Sequence, residues 1–271
     1  MTIIPLMDDF CPKGKLRGEH GLSYYIETDS AKVLFDTGQT DALIANAGTL
    51  GVDLDRLDAV VLSHGHYDHC GGLSALFEAV APARPAMYAG KGYSVRKWAR
   101  TNDGLSDIGL PESSRPPRVP AAIEVDAIVN PFPGLFLQPR AERVDGATAN
   151  PRFRLIEAGV ERMDDFDDEL SIVVEERGGI VVITGCAHRG IVNIVKAAMR
   201  AFPGKPLAAI VGGFHLGDAP DGTLSLIADG IAELAPGRIL CGHCTGTRGF
   251  AAISARNRDV SWLACGMRVD V

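Results

Sequence analysis

The sequence lacks the features that mark exported and membrane-spanning proteins. No basic segment precedes an apolar one at the start of the chain, and Asp8 and Asp9 make this region acidic, which argues against a signal peptide. No apolar run reaches the roughly 20 residues that a membrane-spanning helix needs. The six cysteines do not follow the regular spacing of a disulfide framework, so they are expected to be free thiols. These absences predict a cytoplasmic protein without a membrane partner.

The chain also lacks an excess of positive charge. It has 27 Lys and Arg against 34 Asp and Glu, a formal net charge of −7. Binding to nucleic acid needs clustered Lys and Arg side chains that contact phosphates, so no nucleic-acid partner is expected. The 271 residues, 46% of them hydrophobic, can bury a substantial core and favour one large domain, residues 1–271, over two small ones.

Four potential metal ligands lie within six residues: His64, His66, Asp68 and His69. The apolar run 59–62 before them predicts a buried strand, and a strand end is a rigid platform for a metal site. Imidazole and carboxylate ligands together suit zinc, iron or manganese. Four such groups on one short loop exceed what one ion can use, so the spacing predicts two ions side by side.

This HxHxDH motif resembles the signature of the metallo-β-lactamase superfamily, and other segments resemble it in the expected order. Segment 34–38, Leu-Phe-Asp-Thr-Gly, is similar to its early Asp-x-Gly element. His188 and His243, each after an apolar run, are similar to its third and last metal-binding histidines. The resemblance implies an α/β fold, a four-layer αββα sandwich with the site at one end of two sheets. It implies that two ions, zinc first and manganese or iron as alternatives, are held by two sets of three ligands: His64, His66 and His188, and Asp68, His69 and His243.

The resemblance also implies roles for two aspartates. A metal ion can lower the pKa of a bound water from near 16 to about 7, which gives hydroxide at neutral pH. Asp68 would orient this nucleophile or move its proton. Asp36 would accept an N–H from a ligand histidine and fix its tautomer, although an Asp-Thr-Gly segment can also serve as a turn or cap.

The sequence departs from the superfamily where most two-metal members carry a bridging Asp between the last two metal histidines. Segment 210–216 has no acid at its strand end, and Asp218 lies further on, in a predicted turn. His215 is the best substitute, as a ligand, as a proton donor near the substrate, or as a structural residue. Cys241 and Cys244 match a disulfide-exchange C-x-x-C, but their place among metal motifs favours interpreting them as neighbours of His243.

Four segments resemble one group within the superfamily: 19–23, 168–171, 184–193 and 212–216. The group is that of 7,8-dihydropterin-6-yl-methyl-4-(β-D-ribofuranosyl)aminobenzene 5′-phosphate synthase, and in it the segment containing His20 recurs near the site. The bare site predicts a hydrolase of a phosphodiester, phosphate-bearing or lactone-like small molecule. The synthase reaction is the alternative that the resemblance implies, and a metal-binding regulator with little turnover is the non-enzymatic one. The net charge disfavours the RNA-processing branches.

Residues 100–165 are rich in Pro, Gly and Arg and show little periodicity, which is typical of a lid or an insertion. Segment 91–154 contains ten Lys and Arg but seven Asp and Glu. This local charge predicts attraction of an anionic substrate, with an ordinary solvated loop as the alternative. The sequence carries no prediction of the oligomeric state.

Apolar periodicity predicts the remaining elements. The predicted strands are 21–28, 31–36, 170–175, 180–183, 207–211 and 238–240, with a final short pair at 261–264 and 267–269. The predicted helices are 41–50, 73–80, 191–202 and 223–234.

Overall fold

The computed structural model describes residues 1–81, 83–143, 150–157 and 159–271. The strands are, in chain order, β1 (Thr2–Met7), β2 (Ser23–Glu27), β3 (Lys32–Phe35), β4 (Ala59–Leu62), β5 (Ala86–Gly90), β6 (Lys97–Thr101), β7 (Gly104–Asp107), β8 (Ile123–Val125), β9 (Val129–Phe132), β10 (Leu135–Pro139), β11 (Phe153–Glu157), β12 (Val160–Met163), β13 (Leu170–Glu176), β14 (Gly179–Thr184), β15 (Leu207–Gly212), β16 (Arg238–Cys241), β17 (Val260–Trp262) and β18 (Val269–Asp270). The α-helices are α1 (Ala42–Leu50), α2 (Tyr67–Cys70), α3 (Leu73–Ala79), α4 (Ile191–Ala201), α5 (Asp221–Glu233) and α6 (Gly246–Ser254), and short 3₁₀ turns are formed by Leu54–Arg56, Glu112–Ser114 and His243–Thr245.

Two seven-stranded sheets pack face to face. The strand order is β18-β1-β2-β3-β4-β5-β8 in the first sheet and β17-β16-β15-β14-β13-β10-β9 in the second. Because side chains alternate along a strand, Val33 and Phe35 face the space between the sheets, whereas Leu34 faces outward. Ile172 and Ile183 of the second sheet meet them from the other side. These fully buried apolar side chains form the central core.

Helices cover the outer faces of both sheets. On the first sheet, α1 and α3 bury Leu43 and Leu76. On the second, α4, α5 and α6 contribute apolar residues that include Ile194, Ile231 and Ile253. The layers are therefore helix, sheet, sheet, helix, which confirms the predicted αββα sandwich. Among the described residues, none of the helices combines the length and apolarity needed to cross a membrane.

The strand ends at one edge of the sandwich bring the predicted site residues together. β3 runs parallel to β4, and β14, β15 and β16 are parallel to one another. β1 is antiparallel to β2, which is antiparallel to β3, so the end of β1 lies at the same edge. Asp36, His64, Cys186 and His243 each follow one of these strands within two residues.

The prediction that the last two strands, 261–264 and 267–269, pair with each other is wrong. Both strands exist, but β17 pairs with β16 in the second sheet, and β18 pairs with β1 in the first. Between them Gly266, with φ 76°, donates its N–H to Pro5. The chain therefore crosses from one sheet to the other and cannot fold back on itself as a hairpin.

Segment 100–165 holds more regular structure than its sequence indicates. β8 joins the first sheet and β9 and β10 join the second, while β12-β11-β6-β7 form a third, four-stranded sheet. Every residue of β7 and β12 is exposed. Strands without a buried face show no apolar alternation, which is why periodicity gives no signal here. Residues 144–149 and 158 of the predicted insertion lie outside the described residues.

Candidate metal centre

All seven histidines of the chain lie in one cluster at the shared strand edge. Ring centroids of successive neighbours are 5.1 Å (His20–His243), 5.1 Å (His243–His69), 4.3 Å (His69–His64), 4.4 Å (His64–His66), 4.8 Å (His64–His188) and 4.4 Å (His188–His215) apart. So dense a group of imidazoles is a natural donor set for transition-metal ions.

His64, His66 and His188 form the first predicted ligand set. Their ligand atoms lie within 4.8 Å of one another, and each Nε2 is buried without a hydrogen-bond partner among the described residues. Burial lowers the pKa of all three imidazoles well below the ordinary value, so they are neutral, the form that binds a metal. Three orphaned lone pairs that converge on one point fit a metal ion.

The second predicted set surrounds Asp68. Its Oδ2 lies 3.5 Å from His69 Nε2, 3.5 Å from His243 Nε2 and 3.3 Å from His20 Nε2. Ligand atoms of one tetrahedral ion, each about 2.1 Å from the metal, lie about 3.4 Å apart, so these separations fit a second ion. Burial opposes ionisation of Asp68, but the neighbouring imidazoles of His69 and His243 outweigh burial and lower the pKa of this carboxyl.

Carboxylates orient two histidines of this set. Asp36 Oδ2 lies 2.6 Å from His69 Nδ1, and Asp9 Oδ1 lies 2.6 Å from His243 Nδ1. Each Nδ1 therefore donates, and each Nε2 keeps its lone pair for a metal. Asp36 also accepts hydrogen bonds from the backbone N–H and hydroxyl of Ser63, at 2.7 and 2.6 Å, and has a φ of 62°. Asp36 therefore contacts His69 and also holds Ser63, directly after β4.

Asp8 and Asp9 are site residues that the motifs do not identify. Asp9 Oδ2 lies 2.9 Å from His20 Nδ1, and Asp8 Oδ2 accepts the N–H of His243 at 3.0 Å. Burial raises the pKa of Asp8 to about 7. Burial also opposes ionisation of Asp9, but hydrogen bonds from His20 and His243 outweigh it and lower its pKa. In the sequence, the signal for this pair is its place directly after the apolar run 3–7.

Asp168 and Glu169 anchor the two loops that carry the first ligand set. Asp168 Oδ2 accepts the N–H of Gly65 at 2.9 Å, and Glu169 accepts the N–H groups of His188 and Arg189 at 2.5 and 2.9 Å. Burial raises the pKa of Glu169 to about 7. The segment 168–171 thus ties the HxHxDH loop to the loop of the third histidine.

Lys97 and Phe166 complete this support. Lys97 Nζ lies 2.9 Å from Asp168 and 3.0 Å from Asp164, and all three side chains are buried. The ring of Phe166 stacks on His188, with centroids 3.8 Å apart and an interplanar angle of 9°. Together they fix the backbone and one imidazole of the first set before any ion binds.

The structure separates the two candidates for the missing bridging acid. Asp218 is fully exposed, and its Oδ2 lies 4.0 Å from Arg152. His215 is in the cluster, and its Nδ1 is buried without a hydrogen-bond partner among the described residues. The Sγ of Cys186 lies 3.0 Å from His69 Nε2. Cys244 Sγ accepts the N–H of His215 at 3.2 Å.

A cavity of about 630 Å³ opens over the cluster. Its wall includes His66, Asp68 and His215, together with Arg152 and Phe153 from the segment 100–165. The Phe153 ring centroid is 5.4 Å from that of His66 and 5.5 Å from that of His215. The segment predicted as a lid therefore contributes side chains to the cavity beside the histidines.

Comparison with known proteins gives consistent matches. The family model of the metallo-β-lactamase superfamily matches residues 16–142. The crystal structure of Tm1679, described as a metal-dependent hydrolase of the β-lactamase superfamily, is 30% identical with a TM-score of 0.89, over 100% of this chain and 99% of Tm1679. Zn²⁺-bound PqqB from Methylobacterium extorquens has the same fold, with 15% identity, a TM-score of 0.61 and full coverage of both chains.

A curated relative matches one of the groups considered above. The 7,8-dihydropterin-6-methyl-4-(β-D-ribofuranosyl)-aminobenzene-5′-phosphate synthase of Methanocaldococcus jannaschii is 27% identical over 241 residues, which cover 84% of this chain and 81% of the synthase. An uncharacterized protein of the same archaeon is also 27% identical, over 95% of this chain and 96% of its own length.

Proposed function

Because the chain belongs to the metallo-β-lactamase superfamily, we propose that it is a metal-dependent hydrolase of a small anionic molecule. The substrate classes are a phosphodiester, another phosphate-bearing compound or a lactone-like ester. The observation that carries the proposal is the convergence beside Asp68 of the Nε2 atoms of His64, His66 and His188, which have no hydrogen-bond partner in the part of the chain that the structure describes. They border a cavity large enough for a small molecule.

Two divalent ions, zinc first, would be held by the two ligand sets. Such ions act as Lewis acids and lower the pKa of bound water to about 7. Asp68 is surrounded by three imidazoles, and its carboxylate can orient a water and accept its proton. His215 lines the same cavity, and its Nδ1 has no partner among the residues described, so it can donate a proton to the leaving oxygen.

The synthase reaction is the second candidate, because the synthase relative matches most of both chains. The aromatic ring of Phe153 lies in the cavity wall beside His66 and offers a face on which a pterin can stack. Tight binding of a dihydropterin, followed by its fluorescence, would favour this reaction over simple hydrolysis.

Fewer positive charges are available at the cavity mouth than the ten Lys and Arg residues of segment 91–154 indicate. Arg96 pairs with Glu112 at 2.8 Å, and Arg154 pairs with Glu161 at 2.7 Å. Arg152 lines the cavity and is about half exposed, and among the described residues its nearest acid, Asp218, is 4.0 Å away. Arg152 is therefore the residue we propose for contact with a substrate phosphate or carboxylate.

Metal analysis and hydrolysis together test the proposal. Protein purified without chelator is expected to contain zinc and to cleave a chromogenic phosphodiester or lactone. Asp68→Ala should abolish turnover and lower the metal content while circular dichroism stays unchanged. Metal below about 0.2 ions per chain, even after reconstitution, would contradict the two-ion site, because such sites bind tightly. Metal bound without turnover of any ester would favour the regulator.

The contribution of Arg152 is tested against a matched arginine. Arg152→Ala should raise KM for an anionic substrate and weaken its dependence on salt concentration. Arg154→Ala removes the same charge from β11, but this arginine is paired with Glu161 and should leave KM unchanged. Equal KM values for both variants and the parent would contradict an electrostatic role of Arg152 in substrate binding.

A further inference from the structure

The thiol of Cys186 lies at the centre of the histidine cluster. Its Sγ is 3.0 Å from His69 Nε2. Ligand atoms of His64, His188 and His243 also lie within 4.8 Å of it. His64 and His188 belong to the first ligand set, and His69 and His243 belong to the second. This thiol therefore adjoins ligands of both proposed ions.

Among the described residues, no acidic side chain at the cluster stands directly after β15, where most two-metal members of the superfamily carry a bridging Asp. β15 ends at Gly212, and a Cβ on the following Gly213 would lie only 2.7 Å from Cys244 Sγ. Asp218 is fully exposed. Two divalent ions held by neutral imidazoles and a single Asp68 would carry excess positive charge, which a further anionic ligand would offset.

We propose that Cys186 is a metal ligand whose thiolate lies between the two ion positions and takes the place of the missing bridging carboxylate. The inference rests on the metal-dependent function proposed above. His69 Nδ1 donates to Asp36, so its Nε2 presents a lone pair, and that lone pair faces Cys186 Sγ. An ion bound to this Nε2 is necessarily beside the sulfur, and the thiol proton is released as the sulfur–metal bond forms.

A thiolate ligand also narrows the choice of metal. Soft sulfur ligands favour zinc or iron, whereas manganese prefers oxygen ligands. The parent protein should therefore bind Zn²⁺ more tightly than Mn²⁺ by a margin that shrinks when the sulfur is replaced by a hydroxyl. A site made only of imidazole and carboxylate would discriminate less between these ions.

Cys244 is the competing thiol. Its Sγ already accepts the backbone N–H of His215, which gives it a partner without metal, and it groups with His243 and Cys186. Cys265, buried and hydrogen-bonded to the carbonyl of Leu6 at 3.3 Å, lies elsewhere. These two cysteines are the matched controls for Cys186.

Cobalt substitution tests the proposal without measuring activity. The parent, loaded with two Co²⁺ per chain, should show a sulfur-to-cobalt charge-transfer band in the near ultraviolet. Cys186→Ser should lose the band, and competition with a chelator should show the weaker ion bound at least about tenfold less tightly. Cys265→Ser and Cys244→Ser should keep the band.

Two results would overturn the assignment. The first is a parent with two bound Co²⁺ and no such band, which leaves the hydrolase proposal intact but removes the sulfur ligand. The second is a band that persists in Cys186→Ser or disappears in Cys244→Ser. If Cys186→Ser does not fold, zinc-edge X-ray absorption of the Cys244→Ser protein decides, because a sulfur neighbour must remain there. Failure of the parent to bind any metal would instead refute the proposed function.

Discussion

Replacing Lys97 by Met tests the buried support beneath the metal loop. The ammonium lies 2.9 Å from Asp168 and 3.0 Å from Asp164, and the three side chains are 2%, 2% and 1% exposed. Burial disfavours the charged form of Lys97, but the two aspartates outweigh it and raise its pKa. Methionine retains an apolar stem of similar length and lacks the ammonium group, so the variant tests mainly the loss of the two ion pairs and their hydrogen bonds.

The expected loss of stability comes from the two carboxylates that stay buried when the Lys97 ammonium is removed. Removing one partner of a buried ion pair leaves an uncompensated charge and costs about 3–5 kcal/mol. Here two carboxylates would lose their shared cation. Burial raises the pKa of Asp164, so this carboxyl can take up a proton, which relieves part of the penalty. We expect the free energy of unfolding to fall by about 3 kcal/mol. This is a large part of the total of about 5–15 kcal/mol that is typical of a domain.

The same change should reach the metal site. Asp168 Oδ2 accepts the N–H of Gly65, between His64 and His66. An aspartate that has lost Lys97 no longer fixes this backbone, so metal affinity should fall by about 10- to 100-fold, as for other supporting partners of metal ligands. A purely local packing defect would lower stability and leave the affinity unchanged.

Urea unfolding of metal-free parent and variant measures the first effect, because the midpoint and slope give the free energy of unfolding. Arg162→Met is the control, since its guanidinium lies 2.7 Å from Glu157 but both side chains are nearly half exposed. An exposed pair contributes less than about 1 kcal/mol. A Lys97→Met protein as stable as the Arg162→Met control would refute the reasoning.

Three further outcomes are expected. Asp36→Asn keeps a residue that tolerates φ 62° but removes the charge facing His69, so metal affinity should fall about 10- to 100-fold in a chelator competition; unchanged affinity would contradict this role. Gly65→Ala would place a Cβ 2.0 Å from the Tyr93 carbonyl oxygen and should lower the free energy of unfolding by more than about 1 kcal/mol. Gly48→Ala meets open space in α1 and should raise the free energy of unfolding by up to about 1 kcal/mol. Equal melting temperatures of the two variants would refute this contrast. Chelation should lower the melting temperature of the parent, since a metal that binds the folded state at 1,000 times its Kd stabilises it by about 4 kcal/mol, and no shift would argue against tight binding.

The candidate ligand residues could be picked out of the sequence because their signals are local. A buried strand followed directly by His64, His66, Asp68 and His69 specifies both the element and the chemistry of its end. His188 and His243 repeat the pattern of apolar run and histidine. Because parallel strands end at the same edge, the pattern also predicts that these side chains lie close together, and in the structure they do.

Apart from Asp36, the supporting residues were not predictable, because their roles depend on contacts between distant parts of the chain. Lys97 and Asp164 are 67 positions apart, and Asp9 and His243 are 234 apart. No spacing rule links such pairs. A count of charges likewise misses that Arg154 and other cations of the segment 91–154 meet acids further along the chain.

Backbone strain at the metal centre explains why so much support surrounds it. Among the residues that the structure describes, eight residues other than glycine have positive φ, and five of them lie at or beside the cluster: Asp36, Phe166, Ala187, His215 and His243. A left-handed conformation costs about 1–2 kcal/mol for such residues. The strained conformations turn the chain sharply at the strand ends, so that side chains from several strands reach the same points. Buried anchors such as Asp168, Glu169 and Lys97 hold these turns in place, which is how a stable sandwich can carry a strained edge.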